Sequence, residues 1–377
     1  MHETSVVRTA PSGAPDTVAV AFVVPLRGAT GIYGPSCLAC GELAAEEVNA
    51  RAGMLGRRVE LVLVDAGREP GLVADDVAAL VDSGAVQAVA GWHISAVRQA
   101  ITRRVGGRVV YAYAAMHEGH DPTPGVFMLG ERPANQVLPA AGRLAADQGV
   151  RRWTVVGNDY VFPRESARTV RAVFDAGGVR NAALVQERYV PLGTTDFSRV
   201  MAELARAVDS SARADRVDGV LMLLMGSDAV HFNRAFAAAG LDERLVRLSP
   251  AVEENTLLGA GVSAHANLYA AAAYFDALDT PESSALAQRY AARFGEWAPA
   301  LNAVGESCYE AVHFLASLAR RAGSLEVGAA TSLPDGWFYG SPRGLVRVRG
   351  NLVEQDVWLA RADGVEFEVR ERIAGTA

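Results

Sequence analysis

From residue 18 the chain repeats one pattern: a short run of Val, Ala and Leu, then a longer run with apolar residues at helical spacing. Strands are expected at 18–24, 59–64, 88–91 and 109–114, with helices at 35–51, 72–83 and 95–104 between them. Such alternation specifies parallel strands covered on both faces, because a parallel neighbour is reached only through a crossover, usually a helix. A stretch rich in Pro, Gly and Asp, 119–133, interrupts the pattern, which then restarts. Helices are expected at 135–148, 164–176, 197–208 and 229–239, and strands at 153–156, 183–189 and 217–224. Two α/β units joined by a polar connector imply two lobes with a crevice between them. Further on, a strand at 268–274 and helices at 282–294 and 302–321 precede three strands, 344–348, 356–362 and 365–370. Gly350-Asn351 and Asp363-Gly364 supply hairpin turns there, so the ending reads as antiparallel.

A length of 377 residues agrees with two domains of roughly 150 residues each. Hydrophobic residues are 50% and charged residues 21%, yet no run approaches the ~18 apolar residues of a membrane span, so no membrane insertion is expected. The balance of 36 basic against 43 acidic residues, net −7, repels phosphate backbones and argues against direct contact with nucleic acid. Every basic residue is arginine. Without lysine, a Walker-type phosphate loop, a kinase, a Schiff-base enzyme and a Ser-Lys acyl transferase are all excluded, because guanidinium does not lose its proton. No nucleophile elbow, zinc-protease motif or dinucleotide loop is present, and no cofactor is expected.

Cys37, Cys40 and Cys308 are too few and too odd in number for a disulfide framework and suit a reducing compartment. Cys37 and Cys40 fall on a predicted helix, where packing explains them better than redox chemistry. Residues 1–16 are polar, hold Pro11 and Pro15, and lack the basic start and apolar run of a secretory signal. They read as a loose tail, and with Met1 as the start the expected location is the cytoplasm.

In open parallel sheets a ligand sits beyond the carboxyl ends of the strands, where loops enter helix N-termini. That rule selects the loops 27–36, 92–95, 113–119, 158–166, 225–228 and 249–255. Ser95 stands at a predicted N-cap, a role compatible with facing a crevice. His117-Glu118-Gly119-His120-Asp121 has the residue types of a metal site, but with no second group nearby in sequence it reads as a polar turn and no metal is expected. Tyr111, Tyr113, Tyr274 and Phe275 sit on strands and read mainly as core, with Tyr113 alone expected to face a ligand.

The run Gly157-Asn158-Asp159-Tyr160-Val161-Phe162-Pro163-Arg164-Glu165-Ser166 is the most distinctive, followed by Tyr189-Val190-Pro191-Leu192-Gly193-Thr194-Thr195-Asp196-Phe197. With Val48-Asn49-Ala50-Arg51-Ala52-Gly53-Met54-Leu55-Gly56-Arg57, the Asp279-Thr280-Pro281 turn and Gly344-Leu345-Val346-Arg347-Val348, it resembles the amide- and urea-binding branch of the type I periplasmic-binding-protein family over residues 18–372. Within the branch the similarity is greatest to the cytoplasmic amide sensors of amidase operons. The resemblance implies an α/β fold of two Rossmann-like lobes with parallel sheets, joined by a three-segment hinge. Lobe 1 would be 17–131 plus 255–338 and lobe 2 132–254 plus 339–372, with tails at 1–16 and 373–377. Crossovers are expected near 130–133, 250–254 and 337–342.

Carried over by position, the pocket would use His93, Ser95, Tyr113, Ala115 and Met116 of the first lobe. The second would supply Asn158 and Tyr160, with Gly226, Ser227, Asp228 and Glu253 at its rim. His93, His117 and the Ala115-Met116 pair depart from the amide-sensor pattern, which weakens the case for a short aliphatic amide. A neutral amide or urea needs donors on one side, for which Ser95 and Tyr113 serve, and acceptors on the other, for which Tyr160, Asp228 or Glu253 serve. A zwitterionic amino acid would instead place its ammonium on Asp228 or Glu253. The expected function is therefore binding without catalysis. The leading expectation is a cytoplasmic amide- or urea-type sensor that controls an antitermination regulator by hinge closure. The alternative is a solute-binding receptor of an ABC transporter for urea, short amides or branched-chain amino acids. A homo-oligomer is compatible with either.

Overall fold

A computed structural model of the chain describes residues 6–119, 121–212 and 215–375. The chain forms two compact units. It passes from unit 1 to unit 2 between Gly130 and Glu131, returns between Asp279 and Thr280, and crosses again between Gln355 and Asp356.

In unit 1, Thr17–Val24 is the central strand, flanked in parallel by Arg58–Asp65 on one side and Ala88–Gly91 on the other. Val110–Tyr113 and then Val126–Met128 extend the parallel part. All residues from Val18 to Val24 are buried, as expected of a strand covered on both faces. Because the chain leaves the central strand to one side and later fills the other, the sheet has its switch point between Thr17–Val24 and Ala88–Gly91. Gly91 makes the exit from that second strand possible: its φ is +133°, and a Cβ there would lie 2.2 Å from the Val23 carbonyl oxygen.

Unit 2 repeats the plan. Arg152–Asn158 lies between Ala183–Val190 and Gly219–Leu223, all parallel, so its switch point falls between Arg152–Asn158 and Gly219–Leu223. Val246–Ser249 and Leu268–Ala272 continue in parallel, and the antiparallel hairpin of Val357–Asp363 and Glu366–Ala374 closes the edge.

Two expected crossovers move. The segment 255–279 stays with unit 2, since Leu268–Ala272 pairs with Val246–Ser249. The segment 337–354 stays with unit 1 as Trp337–Ser341, Gly344–Arg349 and Leu352–Glu354. Asn351 attaches it, donating to the carbonyls of Asp121 at 2.6 Å and Val126 at 3.0 Å, while its own carbonyl accepts from the Met128 N–H at 2.8 Å. The expected tails also carry structure: Val7–Arg8 pairs in parallel with Leu61 and Val62, and Glu366–Ala374 runs past residue 373. Residues 1–5 and 376–377 lie outside the described residues. Among the described residues no helix is long and apolar enough to cross a membrane.

Helices Gly34–Ala50 and Ala303–Ala322 pack closely because Gly305 has no side chain. A Cβ there would meet Cys40 Sγ and Ser36 at 3.0 Å. Cys37, Cys40 and Cys308 are all buried on these two helices. Beside them lies a buried polar cluster. Arg343 donates to Glu306 at 2.6 Å, to Gln355 at 2.8 Å and to Ser307 at 2.7 Å, and Gln355 donates onward to the Leu129 carbonyl at 3.2 Å. The Arg343 and Glu306 side chains are 1% and 0% exposed, so removing the cation strands a buried carboxylate. Arg343→Met is expected to lower stability by about 3–5 kcal/mol in urea denaturation. A loss below about 1 kcal/mol would show that the pair is dispensable.

Candidate functional site

The unit 1 switch point opens into the loop 92–94 and the helix Ser95–Val105. Ser95 is not the N-cap. Ile94 holds that position without a side-chain cap, and Ser95, first residue of the helix, turns its hydroxyl to Glu118 Oε2 at 2.7 Å. Arg98, one turn later on the same face, pairs with both Glu118 and Asp121, and its guanidinium lies 5.3 Å from the centre of the Tyr113 ring. Tyr113 is fully buried and donates its hydroxyl to the His93 carbonyl at 2.8 Å, with Ser95 Oγ 3.4 Å away. Burial, with the Arg98 charge acting the opposite way, raises the Tyr113 phenol, so it is a neutral donor.

His93 is 1% exposed, and both ring nitrogens are engaged, Nδ1 with the Val23 carbonyl at 3.0 Å and Nε2 with the Tyr111 hydroxyl. Burial pushes it down to about 3, so the ring is neutral and serves as a support for the loop. Ala115 is buried and Met116 half-buried; Ala115 lies against Gly130, where a Cβ would meet the Ala115 carbonyl oxygen at 2.3 Å. His117 is buried and accepts from the Gly119 N–H at 3.2 Å. His120 lies outside the described residues, and among the described residues no three His, Cys, Asp or Glu converge as a metal site.

The unit 2 switch point brings Asn158 and Asp228 together. Asn158 closes its strand, is 0% exposed, and donates to Asp228 Oδ2 at 2.7 Å while accepting from the Met225 N–H at 2.9 Å. The same Asp228 oxygen accepts from the Gly193 and Thr194 N–H groups at 2.9 and 3.2 Å. Its other oxygen, Oδ1, is buried with no hydrogen-bond partner among the described residues. Burial raises the Asp228 carboxyl against the lowering effect of these donors. Gly226, at φ +54°, starts the helix Ser227–Ala238, a backbone angle that favours glycine. Ser227 and Tyr160 are half-buried beside these loops, Tyr160 as N-cap of Val161–Asp175.

Each switch point gathers polar side chains at strand-end loops, and among the described residues there no nucleophile, base and oxyanion donor are assembled, which suits binding. A family profile described as periplasmic binding protein matches residues 17–366. The chain belongs to that family. Its fold is also that of solved members. A solute-binding protein of an ABC transporter from Rhodopseudomonas palustris HaA2, in complex with p-hydroxybenzoic acid, superposes with TM-score 0.81 at 18% identity, covering 96% of this chain and 97% of the other. An amino acid ABC transporter substrate-binding protein from Pseudomonas fluorescens Pf-5 gives 0.79 at 19%, covering 97% of each chain. The branched-chain amino acid binding protein LivJ from Streptococcus pneumoniae, in complex with isoleucine, gives 0.77 at 16%, with 95% and 99% covered.

Sequence reasoning about this periplasmic binding protein missed Arg98, although its spacing from Ser95 places both on one helix face. It read Glu118 and Asp121 as a polar turn without the cation they answer. A cavity of about 690 Å³ in unit 1, bordered by Arg51, Leu55, His313, Arg320, Phe338 and Leu345 among others, includes none of the nominated residues. Glu253 belongs to a local cap: Oε2 accepts from the Asn255 N–H at 3.0 Å and Oε1 from the Thr256 hydroxyl at 2.9 Å. Burial pushes Glu253 up to about 7, and burial, reinforced by the Glu253 and Asp276 charges, pushes Glu254 up to about 8.

Both values lie above the usual 4.5, so the folded chain keeps protons that the unfolded chain releases. This contribution to stability is complete below about pH 4.5 and is lost as pH rises through about 7 to 8. Glu254→Gln, which mimics the protonated form, is expected to flatten the fall in urea midpoint between about pH 5 and about pH 8.5. An equally steep fall in the variant would place the titration elsewhere.

Proposed function

We propose that this chain is the solute-binding receptor of an ABC-type importer, presenting a small ligand to a membrane permease without chemical change. The observation that carries the reading is the pair of switch-point clusters, Ser95 with Tyr113 in unit 1 and Asn158 with Asp228 in unit 2, in a chain of the periplasmic binding protein family. A ligand held at such a strand-end cluster favours the conformation that binds it better, and that differential affinity is the signal a permease reads.

This puts the transport receptor ahead of the cytoplasmic amide sensor. The solved relatives reported above are named as ABC transporter binding proteins, one in complex with p-hydroxybenzoic acid, one for amino acids and one for branched-chain amino acids. The receptor reading also places the protein on the periplasmic or cell-surface side of the membrane, against the cytoplasmic expectation. His93, Tyr113 and Glu253, buried with their polar atoms already engaged by the protein, act in it as supports. Ser95, Met116, Tyr160, Ser227 and Asp228 remain the residues proposed to meet ligand.

Thermal-shift screening with urea, acetamide, butyramide, isoleucine, benzoate and p-hydroxybenzoate tests the reading. A ligand at 100 times its dissociation constant stabilises the fold by about 2.7 kcal/mol, which is readily seen as a rise in melting temperature. For the best ligand, Ser95→Ala is expected to weaken binding about tenfold, the ~1.4 kcal/mol scale of a lost hydrogen bond. Unchanged affinity in that variant would remove the unit 1 loop from the site.

A further inference from the structure

The anion seat of unit 1 is already filled by the chain itself. A helix start, the Ser95 hydroxyl and the Arg98 guanidinium converge on one point, and each favours negative charge. The negative charge found there is the Glu118 carboxylate. Arg98 is 3% exposed, and its Nε lies buried with no hydrogen-bond partner among the described residues, so the seat still holds a donor they do not use. The Glu118 side chain is 13% exposed against 1% for Ser95, so of the two Glu118 is the more open to solvent.

Among the described residues that meet at the seat, Arg98 carries one positive charge against two negative ones on Glu118 and Asp121, and His93 is neutral. An incoming carboxylate therefore meets both an occupied seat and a like charge. A carboxylate has about four lone-pair positions. Ser95, Arg98 and, at 3.4 Å, Gln99 engage Glu118, which leaves it room to accept one more N–H.

We infer that Glu118 sets the ligand class: it closes the Ser95–Arg98 seat to carboxylates and offers an acceptor to an amide or amine N–H. This rests on the receptor reading above and gives its site a chemical preference that is the reverse of an acid-binding receptor's. In unit 2 the unpartnered Asp228 Oδ1 is a second acceptor for the same kind of ligand.

The test is calorimetric titration of wild type, Glu118→Ala and Glu118→Gln with two matched pairs, benzoate against benzamide and isoleucine against isoleucinamide. Asp121 still pairs with Arg98 in both variants, so each retains a partner for the buried cation, and Glu118→Gln also keeps the side-chain shape. Wild type is expected to bind the amide of a pair at least tenfold more tightly than the acid. Glu118→Ala is expected to bind the acid at least tenfold more tightly than wild type does, and Ser95→Ala in that background to cancel the gain. Acid binding that appears only in the variants also supports the inference. A wild type that prefers the acid, or variants that leave the acid-to-amide ratio unchanged, overturns it while leaving the receptor reading intact. No binding of any of the four by any protein overturns both.

Discussion

Because the chain crosses between its units three times, neither unit is a continuous segment, and each must hold together pieces far apart in sequence. Buried polar bonds do this beside the crossings. In unit 1, Gln355 reaches the Leu129 carbonyl across 226 residues and is itself held by Arg343, whose charge is met by Glu306. In unit 2, the Glu131 carboxylate accepts from the Ala273 N–H across 142 residues, and Gln136 donates to the carbonyls of Pro250 and Ala271. These groups are almost wholly buried, so their bonds form in a low-dielectric setting where leaving one unmade is costly. The ends of the crossing segments are thereby fixed to the bodies they leave.

Each sheet then places its site by topology. A strand order that fills one side first and the other later leaves a crevice at the switch, and both switch points carry the polar loops of interest. The two loops are built differently. In unit 1 the polar groups form an ion cluster around Arg98, with neutral aromatic donors behind it. In unit 2 a single carboxylate, Asp228, organises a strand end, a turn and a helix start through one oxygen and keeps the other unsatisfied. An unsatisfied buried oxygen is expensive in a free protein, and a ligand donor that reaches it recovers that cost on binding.

Much of the fold was legible because the central strands are fully apolar and the helices between them periodic. Thr17–Val24, Ala88–Gly91 and the hairpin turns at Gly350-Asn351 and Asp363-Gly364 lie where the pattern puts them. The strands that escaped notice have physical reasons to be inconspicuous. Val246–Ser249 carries Arg247, fully buried with no ion pair among the described residues and bonded to the carbonyls of Ala264 and Ala266, so a charge interrupts the apolar run. Val126–Met128 is three residues long and is held by pairing with Val110–Tyr113. Trp337–Ser341 looks like a linker because Gly340 and Pro342 flank its end. For the site, strand-end loops were readable, whereas the partnerships inside them were not. Spacing places Ser95 and Arg98 on one face, but only the fold shows that Glu118 and Asp121 come to meet them.

The central claim is that ligand is held at a switch-point loop cluster. A crystal structure of the full chain with the tightest ligand of the screening panel measures this directly. The account predicts ligand atoms within hydrogen-bonding distance of the Ser95–Glu118 cluster of unit 1 or of the Asp228 cluster of unit 2. A ligand seated instead in the cavity beside Arg320 and Phe338, or touching neither cluster, would contradict it.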